Sequence, residues 1–256
     1  MANVILGTID ADDLFGTELD DVINGLAGDD LIVDDEGGND IIDGGEGFDV
    51  IEAGTGDDFV LGGLDDDIVF GEEGSDTLYG GDGLDQLFGG EGNDIIYGEE
   101  GDDIIDGEAG DDILLGEAGV DTLTGGLGSD FISGGDDGDI LNSHTSRNAS
   151  RIAEKDEFYL GGGAGFSDEV NLFSNYLGGV GSTRPKTDTS KAIIFDFNKA
   201  DDVLNLLDVS SRYSVRSSGN FYGSNRADTV ILRGSNTVAI VVDQALRASD
   251  LGQVVI

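Results

Sequence analysis

The chain has 256 residues, of which 55 are acidic and 12 basic, for a formal net charge of −43. So large an excess excludes a nucleic-acid binder, which needs a positive footprint, and docking on anionic membranes. Hydrophobic residues make up 38%, too many for a disordered acidic tail, so a packed core is possible once something neutralises the charge.

In chain order, Met1 to Leu6 carries only the short apolar run Val4-Ile5-Leu6 and no basic region, so no cleaved N-terminal secretory signal is expected. No apolar stretch approaches the roughly 18 residues of a membrane helix. With no cysteine in the chain, disulfides and thiolate metal sites are excluded.

From Gly7 to Asn142 the chain divides into fifteen units of nine residues, with one extra residue near Gly37-Gly38. Gly89-Gly-Glu-Gly-Asn-Asp-Ile-Ile-Tyr97 is a typical unit. The sixth position is Asp throughout: Asp12, Asp21, Asp30, Asp40, Asp49, Asp58, Asp67, Asp76, Asp85, Asp94, Asp103, Asp112, Asp121, Asp130 and Asp139. The eighth is always Leu, Ile or Val. The first is Gly in thirteen units, the exceptions being Asp34 and Ala53. The fourth is Gly in eleven, the exceptions being Asp10, Leu19, Asp65 and Asp137.

Each position has a physical reason. Glycine at the first, often the second, and the fourth position lets the backbone visit positive φ and turn its carbonyls toward one point. Positions seven to nine are expected to form a short strand, with the eighth side chain on one face and its neighbours on the other. Two units then make one turn of a right-handed solenoid, with two aliphatic ladders facing each other inside and two columns of loops outside. Successive coils lie about 4.8 Å apart, so each column stacks sixth-position carboxylates at that spacing. Neighbouring charges repel by roughly 3 kcal/mol at an effective dielectric of about 20. Residues 1–142 hold 42 acidic residues and no Lys or Arg, so the chain must import positive charge. Carboxylates and peptide carbonyls select a hard cation, and calcium suits six to eight flexible oxygens. A turn alone would tolerate Asn or Ser at the sixth position, and no unit uses them.

The unit Gly-Gly-x-Gly-x-Asp-x-aliphatic-x resembles the RTX (repeats-in-toxin) nonapeptide, a calcium-binding β-roll repeat. The resemblance covers residues 7–142. It implies that ions sit between loops one full coil apart, held by the sixth-position aspartates and by glycine carbonyls such as those of Gly74, Gly83, Gly92, Gly101, Gly110, Gly119 and Gly128. Up to about thirteen sites are implied, one fewer than the loops in each column. The units starting at Gly7, Gly16 and Gly134 depart from the pattern by lacking the fourth glycine.

Composition changes near Asn142: residues 143–256 contain 13 acidic and 12 basic residues. A boundary is placed there, giving a roll over 1–142 and a β-rich region over 143–256 that caps its open end. Gly163 to Val170 reads as a degenerate further repeat. Ile194 to Leu206 resembles the strand, acidic turn and strand (with Asp196 and Asp201) that follow the roll in secreted RTX proteins. Thr229 to Arg233 and Thr237 to Asp243 read as strands. Leu246 to Ile256 resembles the uncleaved type I secretion signal of that family, which makes the secretion machinery a partner and the location extracellular or cell-surface; a last edge strand is the plainer reading.

No enzyme is expected. The single histidine, His144, stands in a polar boundary segment without a His-Glu-x-x-His context, and no Gly-x-Ser-x-Gly elbow appears. Paired carboxylates such as Asp29-Asp30 and Asp102-Asp103 recur too regularly for a glycosidase pair. A second hypothesis is a surface-layer, adhesion or polysaccharide-binding module. The apolar seventh positions (among them Val22, Phe59, Ile95 and Phe131) and the ninth-position Phe70, Tyr79, Phe88 and Tyr97 point outward, and such rows mark contacts with glycan or another copy. They equally suit strands that only need β-formers.

Overall fold

The computed structural model describes residues 2–34 and 36–143, and beyond them seven strands: Lys155–Tyr159, Glu169–Leu172, Lys191–Phe195, Val203–Leu206, Tyr213–Ser217, Thr229–Arg233 and Asn236–Val241. His144, Gly163 to Asp168, Asp196, Asp201 and Leu246 to Ile256 lie outside the described residues.

Among the described residues the chain is all β, a parallel β-solenoid of about eight turns consistent with the right-handed β-roll. Alternate strands go to opposite walls. One sheet takes Asn3–Leu6, Asp21–Ala27, Ile41–Glu46, Phe59–Leu64 and every second strand after them. The other takes Asp13–Phe15, Leu31–Val33, Val50–Glu52, Ile68–Glu73 and their successors. All pairings through residue 142 are parallel.

The eighth-position aliphatics hold this register. In one wall Ile23 stands beside Ile42, then Val60, Leu78, Ile96, Leu114 and Ile132. In the other, Leu14 is followed by Ile32, Ile51, Val69, Leu87, Ile105, Leu123 and Leu141. Both ladders are buried and form the core between the walls. A slip of one residue would turn every core side chain outward. The extra residue near Gly37-Gly38 is absorbed in its loop, so the ladders run on from Ile23 to Ile42 and from Ile32 to Ile51 without a break.

Two expectations need correction. Many strands are six residues long rather than three, as in Thr77–Asp82 and Gln86–Glu91, because the second and third residues of the next unit keep pairing with the coils on either side. The first-position glycine also has a different purpose: none adopts positive φ, whereas second and fourth positions do, including Glu72, Glu99 and Glu117 at the second and Asp65 at the fourth.

Beyond the repeats both sheets continue. Lys155–Tyr159 pairs in parallel with Phe131–Asp136, placing a fully buried Phe158 opposite Ile132. Glu169–Leu172 pairs with Ile140–Asn142, and Lys191–Phe195 and Val203–Leu206 add one more strand to each wall. The expected strand, acidic turn and strand therefore has its two strands on opposite walls. The first sheet then ends in antiparallel pairings among the last three strands. Among the described residues no helix is long and apolar enough to cross a membrane.

Ile104 and Ile105 separate core from surface within one strand: Ile105 is 0% exposed and Ile104 48%. Ile105→Ala is expected to cost about 2–5 kcal/mol by opening a cavity between close-packed coils, and Ile104→Ala less than about 1 kcal/mol. Denaturant unfolding of both variants in excess calcium checks the contrast, and equal losses would contradict the ladder.

Candidate metal centre

The sixth residue of each unit stands where a loop passes into a strand, just before the strand or, at Asp21, as its first residue, which turns its side chain into the loop column rather than the aliphatic core. The structure forms the two columns the repeat predicts. One runs through Asp12, Asp30, Asp49, Asp67, Asp85, Asp103, Asp121 and Asp139, the other through Asp21, Asp40, Asp58, Asp76, Asp94, Asp112 and Asp130. Except for Asp12, all are buried.

Within each column the backbone N–H of one aspartate donates to Oδ1 of the aspartate one coil later. These bonds measure 2.6–3.0 Å and run without a break from Asp12 to Asp139 and from Asp21 to Asp130. From the second coil on, one oxygen of each sixth-position carboxylate thus fastens two coils together, a role the sequence reading missed. A charged acceptor makes such a bond about twice as strong as a neutral one.

The second oxygen is left over. Oδ2 of Asp30, Asp40, Asp49, Asp58, Asp67, Asp76, Asp85, Asp94, Asp103, Asp112 and Asp121 is buried and accepts no hydrogen bond. Such groups are rare because each forfeits its hydration without replacement. The first coil differs. Oδ2 of Asp12 accepts the Thr8 N–H at 2.6 Å, and Oδ2 of Asp21 accepts the Thr17 N–H and hydroxyl at 2.8 and 2.9 Å.

The glycines shape the space around these oxygens. A methyl group at first-position Gly107 would sit 2.5 Å from Oδ2 of Asp112 and 2.7 Å from the carbonyl oxygen of Gly125, one coil on. Gly71, Gly80, Gly89 and Gly98 stand in the same relation to their own aspartate and the next coil's first-position carbonyl. Each first-position glycine therefore keeps open a small cradle lined by one carboxylate and one carbonyl oxygen. These carbonyls were not singled out in the sequence, although the near-invariance of glycine at that position was the available signal.

The fourth-position glycines named above stack on one another. A side chain at Gly92 would strike the carbonyl of Gly74, one at Gly110 that of Gly92, and one at Gly128 that of Gly110. Gly101 stands likewise against Gly83, and Gly119 against Gly101. They approach the bonded oxygen, with Oδ1 of Asp112 2.9 Å from the Cβ position of Gly110, whereas Oδ2 faces the first-position glycine. A second, shallower ladder joins fifth positions: the N–H of Ser75 donates to Asp57, of Leu84 to Asp66, of Val120 to Asp102 and of Ser129 to Asp111. It runs opposite to the sixth-position ladder and accounts for the frequent Asp, Asn or Ser there.

Burial pushes the carboxyls up, with neighbouring carboxylates adding to the effect and the bonded N–H opposing it. Asp67 and Asp112 reach about 8; Asp58, Asp76, Asp85, Asp121 and Asp130 about 7; Asp49 and Asp103 about 6. Dehydrated, oxygen-only cradles in which charge repels charge fit a hard divalent cation: the donors suit calcium, and a cation reverses the sign of every unfavourable contact.

Comparison with known families agrees. A family model described as the RTX calcium-binding nonapeptide repeat (4 copies) matches residues 6–33, 34–69, 61–96, 79–114, 88–123 and 115–144. No individually curated protein matches the chain.

A pH dependence follows for the metal-free chain. These carboxyls have folded values near 6 to 8 against 3.8 when unperturbed. The folded state therefore binds protons more tightly, so their stabilising contribution is complete below about pH 3.8 and is lost as pH rises through 6 to 8. In chelator, the β signal in circular dichroism should grow as pH falls from 8 toward 4, and calcium uptake at pH 6 should release more protons than at pH 9. A chelated chain indifferent to pH across that range would contradict the buried columns.

Proposed function

The chain belongs to the RTX calcium-binding nonapeptide-repeat family, and from that premise we propose that it is a calcium-folded extracellular or cell-surface protein. The reading rests on the unpartnered buried Oδ2 atoms stacked in two columns beside residues 1–142, which hold no Lys or Arg. The ligands are Oδ2 of the sixth-position aspartates, joined by first-position carbonyls and by carbonyls of the fourth-position glycines. Because the unfolded chain holds no such cradle, binding energy becomes folding energy. Extracellular sites of this oxygen type bind at about 10⁻⁴–10⁻³ M, so the chain stays unfolded at cytosolic calcium and folds outside. The role is structural, and residues 143–256 cap the roll's open end, a role supported by Phe158 buried against the ladder at Ile132.

One observation favours a contact role for the outer faces. Tyr79 and Tyr97 stack at 4.6 Å and 5°, Phe70 and Phe88 at 5.0 Å and 10°. Flat stacked rings suit an extended polysaccharide or a second copy of the chain.

Circular dichroism in chelator and then in millimolar calcium tests the main reading, with a gain of β signal on calcium addition expected and a native spectrum in chelator contradicting it. Asp85→Ala should raise the calcium midpoint clearly more than Asp12→Ala, since Asp85 lies mid-column with an unpartnered oxygen and Asp12 at the end bonded to Thr8. Equal shifts would count against the columns. Export by a C-terminal signal predicts that deleting Leu246 to Ile256 retains the chain inside a type I secreting host, and its continued appearance in the medium would remove that part of the proposal.

A further inference from the structure

Two units lack glycine at the first position, and their residues, Asp34 and Ala53, are adjacent in one column. Gly16, Asp34 and Ala53 make equivalent backbone bonds, each N–H donating to the wall strand one coil later, at Val33, Glu52 and Phe70. At Asp34 the repeat therefore has a carboxylate where its pattern has a hydrogen atom.

The Asp34 side chain is 0% exposed and no N–H or hydroxyl donates to either of its oxygens, which leaves the Asp40 carboxyl as the group with which it can share a proton. It reaches back one coil into the cradle that Gly16 leaves open: a methyl group at Gly16 would overlap its carboxyl group. There it meets both neighbouring sixth-position aspartates. Asp21, Asp34 and Asp40 each offer an oxygen within 4.8 Å of the other two, and all three are buried. It is the one such group of three among the described residues. Oδ1 of Asp40 is committed to the Asp21 N–H at 2.6 Å and Asp21 accepts from Asn3 and Thr17, while no N–H or hydroxyl donor reaches Oδ2 of Asp40 or either oxygen of Asp34.

We propose that Asp21, Asp34 and Asp40 form a tricarboxylate cation site, different in composition from every other position of the array and filled first. The proposal rests on the array being a calcium binder and adds that one site is not equivalent to the rest. Three carboxylates packed this closely, with no Lys or Arg in residues 1–142, need a counter-cation more than a pair does. Affinity of oxygen sites rises with ligand charge and rigidity. An early-filled site in the second coil also gives the solenoid a place to begin, since each coil contacts only its neighbours and ordering spreads from wherever it starts.

The test compares the full chain with Asp34→Gly and Asp34→Asn. Gly is the residue thirteen other units carry at this position, so Asp34→Gly restores the ordinary repeat, and Asp34→Asn keeps the shape without the charge. Calcium titration by calorimetry should show a tight class of one ion in the unmodified chain. In both variants that class should weaken more than tenfold, with the remaining ions unchanged. Europium(III) excitation on the unmodified chain gives a second readout independent of how the variants fold: one ion with a distinct line, set by its extra carboxylate, is expected beside the common population. A single class of ions in calorimetry and a single line in europium would overturn the tricarboxylate site and leave the array reading standing. No calcium uptake at all would remove both.

Discussion

Repulsion among stacked carboxylates is the constraint on which this structure turns. Parallel coils about 4.8 Å apart bring each sixth-position aspartate against its neighbour above and below, in a column from which water is excluded. From the second coil on, one oxygen of each is held by a backbone N–H of the adjacent coil, and that bond helps set the stacking. The other oxygen is sheltered and, from Asp30 through Asp121, unanswered. The bond that builds the roll thus also concentrates the charge that opposes it. A cation, or a proton when no cation is present, closes the account.

The aliphatic ladders supply the opposing term. Every eighth position is buried between the two walls, and burying apolar surface is worth about 25 cal/mol per Å². Each coil adds only two such residues. A roll this narrow gains little core per residue compared with a globular domain, which is why its stability depends on what fills the loops. Glycine serves this economy of space in two ways. At the fourth position it lets loop backbones stack without colliding, as Gly92 does on Gly74, and at the first it keeps a cradle open beside the carboxylate, as Gly107 does for Asp112.

Departures from the repeat follow the same logic. In the first coil, Thr8 and Thr17 donate to the carboxylates of Asp12 and Asp21; the end of the Asp12 column is thereby less demanding than its middle, whereas Asp21 also faces Asp34 and Asp40. At Asp34 the departure goes the other way, adding charge where charge is already dense. Beyond Asn142 the walls continue through Lys155–Tyr159 and Glu169–Leu172 although the nonapeptide has ended, because strand pairing needs an edge and an apolar residue in register, which Phe158 provides, and not the loop sequence.

Much of this protein was legible in the sequence. A nine-residue period with an invariant aspartate and an aliphatic residue two places on points to a coil of two units per turn, and the ladders from Leu14 to Leu141 are its eighth positions. The charge imbalance of residues 1–142 likewise required an imported cation, since charge is a matter of composition. What the tertiary structure decided are relations between residues about 18 apart in the chain. Which carboxylate oxygen is bonded and which is left over depends on the direction in which adjacent coils exchange hydrogen bonds. That first-position glycine guards a cradle rather than permits a turn depends on the carbonyl of the coil above. Asp34 read as a lapse in the pattern; only the stacking of Gly16 beneath it, which leaves room for its carboxylate between Asp21 and Asp40, brings three charges to one point.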